Sequence, residues 1–368
     1  MIRAHKIRLY PNNTQATYFA KACGVARFAY NWALAKAKEQ YEHDNSVKFN
    51  ESALRKELNS IKREQFPWML EVTKCAAQLA IRDCLAKAFR NFFARRAGFP
   101  RFHKKGVNDS FSISNDQFKM NGKSVKIPNL GWVRLAEDLR FNGQILGAAI
   151  SRTADKWFIA VQVKMPDIDI PASENQAVGV DLGVKTLAVL SDGTEIAGLK
   201  AGKQSEKKLR RLNQALSRKS GAKKGEKKSA NFLKAKKQIS RLYARIANIR
   251  ADETHKLTTM LTQNYGIIGI EDLNVKGMMS NRNLARSVAD MSFFEFRRQL
   301  EYKAEAAGVK VVAADMWFPS SKTCSACGAK ADEMPLSVRE WTCTCCQTTH
   351  NRDINAAINL RNYALRGA

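Results

Sequence analysis

Ala177-Val178-Gly179-Val180-Asp181-Leu182-Gly183-Val184-Lys185-Thr186-Leu187-Ala188-Val189-Leu190 is a nearly continuous apolar run holding one carboxylate, Asp181, and it closes on a Ser191-Asp192-Gly193 turn. Such a run reads as buried strand. A carboxylate inside a buried strand is expensive unless it is paired or bound to a metal, so Asp181 reads as functional. The pattern returns in Tyr265-Gly266-Ile267-Ile268-Gly269-Ile270-Glu271-Asp272-Leu273, where Glu271 ends a second apolar strand and Asp272 faces the other way. A third acid, Asp353, opens an Ala- and Ile-rich segment that reads as a helix able to turn its carboxylate back towards the strand ends. Singly, each acid would more often be a cap or an edge residue. Three in this order, on apolar strands and a helix start, predict an α/β core with Asp181, Glu271 and Asp353 as catalytic carboxylates.

Three hard oxygen donors converging on one spot are what two Mg²⁺ ions need to clamp a scissile phosphate. Nothing in the chain resembles a Ser/His/Asp or Cys/His constellation. The spacing Asp181-x-Gly183-x-x-Thr186 also suits the phosphate loop of actin-like and sugar-kinase ATPases, which share this core topology. Those proteins need a second Asp-Gly phosphate loop and a Gly-rich adenosine motif, and neither is found here.

Composition points the same way. The chain has 368 residues, enough for two or three domains, and its 45% hydrophobic and 9% aromatic content is ordinary for a globular protein. Its charge is not: 62 Lys+Arg against 34 Asp+Glu gives +28, which is odd for a sugar kinase and typical of a polyanion binder. Basic residues are spread along the chain rather than on one amphipathic helix, and no apolar stretch approaches the ~20 residues needed to cross a bilayer, so nucleic acid and not membrane is the expected partner.

Ahead of Asp353 lie Cys324-x2-Cys327, fifteen residues, and Cys343-x2-Cys346. Two such turns satisfy tetrahedral Zn²⁺, and the loop length suits a zinc ribbon. Cys345 adjoins Cys346 and is an alternative ligand; the CxxC spacing favours Cys346. The absence of a signal peptide, with Cys23, Cys75 and Cys84 in apolar helical surroundings, predicts a reducing cytosol.

The first half alternates helix and sheet. His5 to Tyr10 predicts a strand, Pro11-Asn12-Asn13-Thr14 a turn and cap for a helix to about Tyr41, and further helices are expected over Glu51 to Lys62 and Thr73 to Arg95. Period-two patterns then predict strands at Ser110 to Ser114, Ser124 to Ile127, Trp132 to Leu135, Ile145 to Arg152 and Trp157 to Lys164, the last two joined by Thr153 to Lys156. The whole reads as a β-barrel-like unit with a helical insertion, and Pro166 to Asn175 as a linker. Between helix and sheet, cations interleave with Phe89, Phe92, Phe93, Phe99 and Phe102, a mixture that suits RNA or single strands. Phe89, Phe92 and Phe93 are expected in the core, and Arg95, Arg96, Arg101, Lys104 and Lys105 on phosphates. Residues 201 to 250 carry seventeen Lys/Arg and two acids, with apolar stripes at Leu209, Leu212 and Leu216 and at Ile239, Leu242, Ile246 and Ile249. They predict a helical hairpin broken at Gly221 to Gly225. Its one-sign face, including Arg210, Arg211, Arg241 and Arg245, would line a nucleic-acid channel.

The order of Val178-Gly179-Val180-Asp181-Leu182-Gly183, Ile267 to Asn274, Phe318-Pro319-Ser320-Ser321-Lys322-Thr323-Cys324-Ser325-Ala326-Cys327-Gly328 and His350 to Asn359 resembles TnpB, the transposon-encoded RNA-guided DNA nucleases regarded as ancestral to type V CRISPR effectors. The resemblance extends through Arg8 to Pro11, Tyr30-Asn31 and Gly98 to Phe102, and so covers nearly the whole chain. It implies that Asp181, Glu271 and Asp353 are RuvC-type catalytic acids binding two Mg²⁺, and that the four cysteines bind one structural Zn²⁺. It implies a multidomain α/β protein: a wedge β-barrel over 1–170 with a helical recognition lobe inserted at about 12–105, then an RNase H-like (RuvC) mixed sheet over 171–368. The latter would carry a basic helical hairpin at about 201–252 and a zinc ribbon at about 320–350. The implied partners are a guide RNA from the transposon end, one protein per guide, and target double-stranded DNA, in a prokaryotic cytosol beside the nucleoid. Lys74 and Gln78 occupy the positions that read a short motif next to the target, while guide pairing reads the rest. Two departures are Gln347, where the family usually has Gly, and Asn351, where it commonly has Asp; neither removes a required ligand. A guide-dependent DNA-binding repressor without cutting would show degraded carboxylates, and all three are present. A transposase acting directly on DNA ends would need a Tyr or Ser nucleophile or a DDE-type site.

Overall fold

The computed structural model describes residues 1–44, 49–166, 176–219, 228–335 and 337–367. It divides into two compact units, Met1–Asp167 and Ile168–Ala368. The expected linker from Pro166 to Asn175, apart from Pro166 itself, and the hairpin turn from Gly221 to Gly225 lie outside the described residues.

In the first unit, β1 (Ile2–Tyr10) is followed by α1 (Asn13–His43), α2 (Glu51–Gln65), α3 (Lys74–Arg82) and α4 (Arg90–Phe93), and then by β2 (Ser110–Ser114), β3 (Lys119–Asn121), β4 (Ser124–Ile127), β5 (Gly131–Leu135), β6 (Gln144–Thr153) and β7 (Lys156–Lys164). The seven strands are ordered β2-β6-β7-β1-β5-β4-β3. All pairings are antiparallel, and alternate residues Ile7, Leu9, Trp157, Ile159, Val161 and Val163 face the core. β2 and β3 stand at opposite ends of this order, yet only residues 115–118 separate them in the chain. Six inter-strand spacings laid flat would span about 29 Å, and that short link reaches roughly 18 Å, so the sheet must curl back on itself. This is the barrel-like form expected, with helices inserted between β1 and β2. The short strand β3 is an addition to the expected set, because its Lys-Met-Asn carries no apolar alternation.

The capping expected before α1 is present: Asn12 Oδ1 accepts from Gln15 N at 2.8 Å, and Gln15 Oε1 accepts from Asn12 N at 3.1 Å. The third expected helix runs as α3 and α4, with Asp83–Phe89 between them in π-type winding. The wider turn rotates the residues beyond it off the buried stripe. Phe89 is buried and Phe92 half-buried, but Phe93, expected in the core, is 49% exposed although its ring packs against Phe49, Phe89 and Phe92.

The second unit is built on β8 (Ala177–Leu182), β9 (Ala188–Leu190), β10 (Glu195–Ile196), β11 (Ile267–Glu271) and β12 (Lys310–Ala314), ordered β10-β9-β8-β11-β12. β8, β11 and β12 are parallel, while β9 and β10 are antiparallel additions. Val178, Val180, Ile268 and Ile270 share a core with Leu257 and Leu261 and with Phe293, Phe296 and Leu300. These come from α6 (Ala230–Asn264) and α9 (Phe293–Ala307), which follow α5 (Ala201–Ser217) and flank α7 (Val275–Ser280) and α8 (Ala285–Met291). α5 and α6 form the expected hairpin, packed through Ala201, Leu242 and Ile246 with Leu209, Leu212 and Ile249, though α6 continues well past residue 252. Asp290 anchors its base, accepting from the backbone N–H of Gly202 and Lys203 and pairing with Arg250 at 2.6 Å.

On the opposite face lie Gly179 and Gly269, paired in register. A Cβ on Gly179 would sit 1.8 Å from Ala357 O, and one on Gly269 2.3 Å from Leu360 O. Only glycines let the last helix, α10 (Arg352–Arg366), lie directly on the strands. That helix comes after β13 (Glu340–Thr342) and β14 (Thr349–Asn351), a small antiparallel pair.

Candidate active site

Side chains alternate along a strand, so Asp181 shares the α10 face with Gly179, and Glu271 shares it with Gly269. The parallel register pairs Ile270 with Val180, which sets Glu271 beside Asp181 at the same end of the sheet. On α10, Asp353 lies one turn before Ala357, the residue seated on Gly179. One helical turn is about 5.4 Å and two strand residues about 6.7 Å, so the glycine notch brings the third acid to the same end.

The electrostatics are those of a site short of positive charge. Burial first, and then the neighbouring charges of Glu271 and Asp353, raise the Asp181 carboxyl to about 8 against partial relief from Arg352 and Arg339. The other two acids have partners. Ser320 Oγ donates to Glu271 Oε1 at 2.6 Å, and Arg339 Nη1 donates to both oxygens of Asp353 at 3.0 and 3.2 Å. Asn351, the departure just before the helix, caps α10 by accepting from Asp353 N at 3.0 Å and Ile354 N at 3.2 Å. Asp272 pairs with Arg297 of α9 instead, in keeping with the expectation that it faces the other way from Glu271.

Each cysteine knuckle repeats the other's backbone pattern. Cys324 N donates to Ala329 O and Gly328 N to Cys324 O; Cys343 N donates to Thr348 O and Gln347 N to Cys343 O. The sulfurs of Cys324, Cys327, Cys343 and Cys346 all lie within 4.8 Å of one another, the one such group of three or more His, Cys, Asp or Glu donors among the described residues. Cys345 is exposed and outside the cluster. The Thr348 hydroxyl and backbone N–H hold the Cys346 thiol down at about 6, favouring the thiolate that binds metal. Gln347 takes the left-handed φ of 61° where Gly328 has 79°. The carboxylates converge without closing to that spacing.

The knuckles and the acids are tied together by α10. Asn355 and Asn359 are buried and donate to Thr323 O at 2.8 and 2.6 Å, and Asn355 Oδ1 accepts from Ser325 N at 2.9 Å. Ser320 and these two asparagines fall within the segments that carry the resemblance, but nothing in the sequence assigns them these contacts, and Arg339 lies in none of those segments. Only the packing of α10 gives each its role. Arg95, Arg96, Arg101, Lys104, Lys105, Lys74, Arg210, Arg211, Arg241 and Arg245 are exposed, with Gln78 half-buried. Lys74 and Gln78 line one open cleft with Asn59, Lys62, Gln117 and Asn129.

A mixed sheet in this order, with an acid at the end of each central strand and a third on the covering helix, defines an RNase H-like domain of the RuvC type carrying a cysteine-knuckle insertion. Family models match three segments: one described as "Probable transposase" over residues 160–282, a Cas12f1-like TNB domain over 293–360, and a helix-turn-helix domain over 1–46. A Streptomyces pristinaespiralis protein named "Putative RNA-guided DNA endonuclease" is 35% identical over 97% of this chain and 88% of its own length. The Escherichia coli K12 protein of the same name, InsQ, is 34% identical over 98% and 91%. Among solved structures, a Cas12f1–sgRNA–target DNA complex shares the fold with a TM-score of 0.60 at 14% identity, covering 98% of this chain and 99% of that one. The chain belongs to the TnpB family, whose relatives carry the RNA-guided DNA endonuclease name. No described helix is long and apolar enough to cross a membrane.

Proposed function

We propose that this chain is an RNA-guided DNA endonuclease of a transposon, cutting guide-matched double-stranded DNA next to a short motif. The observation that carries this is the convergence of Asp181, Glu271 and Asp353, with the Asp181 carboxyl raised to about 8 by burial and its acidic neighbours. Half-buried like charges of this kind are stabilised by bound cations, and three carboxylates suit hard ions. Asp181, Glu271 and Asp353 would hold two Mg²⁺, which when bound supply an activated water and a counter-charge for the leaving oxyanion. Ser320 orients Glu271, and the Asn351 cap fixes the helical turn that carries Asp353. Arg339 supplies a positive partner for Asp353. Cys324, Cys327, Cys343 and Cys346 hold one Zn²⁺ and so brace the segment that leads into Asp353.

In this reading the partners are a guide RNA from the transposon end and target DNA, with one chain per guide, in a prokaryotic cytosol. Lys74 and Gln78 contact the target-adjacent motif; Arg95, Arg96, Arg101, Lys104 and Lys105, and Arg210, Arg211, Arg241 and Arg245 of the hairpin, contact backbone phosphates. The description "Probable transposase" attached to residues 160–282 keeps a second reading in view, action on DNA ends without a guide. The test is to purify the protein with its flanking transposon-end transcript and challenge a plasmid library randomised beside the guide-matched target. Cleavage that requires the RNA, a short motif and Asp181 is expected. Absence of bound RNA, or strand joining without it, supports the transposase; guided binding without cutting supports a repressor.

A further inference from the structure

Trp317 is 84% exposed, the most exposed large apolar side chain among the described residues, and Met316 beside it is 52% exposed. Scattered surface hydrophobics are ordinary. This one is distinguished by where it is held. β12 ends at Ala314, which pairs in register with Glu271. The chain then turns, with Asp315 Oδ1 accepting from Trp317 N at 2.8 Å and Asp315 O accepting from Phe318 N at 2.9 Å. Phe318 turns inward onto the ring of Tyr363 on α10, centroids 4.9 Å apart, and Ser320 returns to donate to Glu271 at 2.6 Å. Both ends of the turn are thus fixed at the carboxylate site, one by the strand ladder and one by a hydrogen bond to the carboxylate itself. Trp317, three residues from each end, cannot be farther than roughly 10 Å from those anchors.

A rigid turn that directs an indole into solvent beside a phosphodiester-cutting site is built for contact with something planar. In a chain of charge +28, the planar group that would arrive there is a nucleobase. It must also be unpaired, because a base stacked in a duplex offers its edge, not its face. We propose that Trp317 is a positioning residue that stacks on an unpaired DNA base next to the scissile phosphate. This rests on the nuclease reading above.

The test uses the full chain with its guide RNA. Single-turnover cleavage is measured on guide-matched DNA, intact or with one abasic residue scanned across the positions flanking the cut. Stacking of one base on an aromatic side chain makes Trp317→Ala about tenfold slower on intact DNA. One abasic position should slow the wild type by a similar factor and leave Trp317→Ala unaffected, whereas Trp317→Phe keeps most of the rate and the abasic sensitivity. Unfolding temperatures should agree among the three, since the side chain touches solvent. A second measurement needs no cutting: 2-aminopurine placed through a single-stranded oligonucleotide should be quenched by the wild type and Trp317→Phe, and markedly less by Trp317→Ala. Trp317-dependent quenching without Asp181-dependent cutting would sink the nuclease reading and leave the stacking site standing. Asp181-dependent cutting with rates and quenching indifferent to Trp317, or abasic penalties unchanged in Trp317→Ala, would overturn the stacking site.

Discussion

The second unit holds two clusters of side chains with metal-ligand chemistry, built on opposite principles. The cysteines come from two short turns that repeat one backbone pattern, and their sulfurs already lie within 4.8 Å of one another. The carboxylates come from two strands and a helix, and they meet as like charges that, with burial, raise the Asp181 carboxyl instead of closing up. A soft tetrahedral site, as proposed for the sulfurs, needs only local chain geometry. The hard-ion site proposed for the like-charged acids depends on the surrounding fold, through the Gly179–Gly269 notch and the clamp of Asn355 and Asn359. The cysteine cluster should therefore behave as part of the fold and the carboxylate cluster as a strained passenger on it.

Cys324→Ser should give the largest change, because zinc binding to small modules contributes on the order of 10 kcal/mol to their folding. Bound zinc measured by mass spectrometry, protease resistance of residues 320–351 and DNA cleavage should all fall together. Asp181→Asn should divide these properties. Cleavage should drop on the order of 10³-fold, while zinc content and guide binding stay unchanged.

The same variant isolates a pH dependence. A carboxyl raised from 3.8 to about 8 in the folded state binds its proton more tightly there than in the unfolded chain. Its contribution to stability is complete below about pH 4 and fades as pH rises towards 8. Metal-free wild type should then lose up to about 5 kcal/mol relative to Asp181→Asn between pH 4 and pH 8, measured by urea unfolding at each pH. Ser320→Ala should be milder, removing one hydrogen bond to Glu271 for about 1 kcal/mol and several-fold in cleavage rate, with zinc retained. Gln347→Gly should be smallest and of opposite sign. A non-glycine at φ 61° costs about 1 kcal/mol, so the variant should melt slightly higher with activity unchanged.

The two clusters are also unequally legible in the sequence. The cysteine spacing fixes local geometry, and Cys346 rather than Cys345 is readable from it. Asp181 and Glu271 stand out because a charge interrupts an apolar run. Their convergence with Asp353 is readable only as an order along the chain, because the device that creates it is a pair of glycines meeting a helix backbone, and glycines in strands carry no mark of what approaches them. The exposure of Phe93 is hidden for a related reason: π-type winding over Asp83–Phe89 shifts the helical phase, and nothing in the residue types announces it. Ser320 and Arg339 gain meaning only from neighbours distant in sequence.

The acids are expected to form a cation site distinct from the cysteines. The most direct measurement is the unfolding temperature of zinc-loaded wild type and Asp181→Asn at pH 8 as Mg²⁺ is added. Mg²⁺ should raise the wild-type temperature in a saturable way, by an amount that grows with the ratio of Mg²⁺ to its dissociation constant, and leave Asp181→Asn nearly unmoved. An equal shift in both proteins, or none in either, would contradict it.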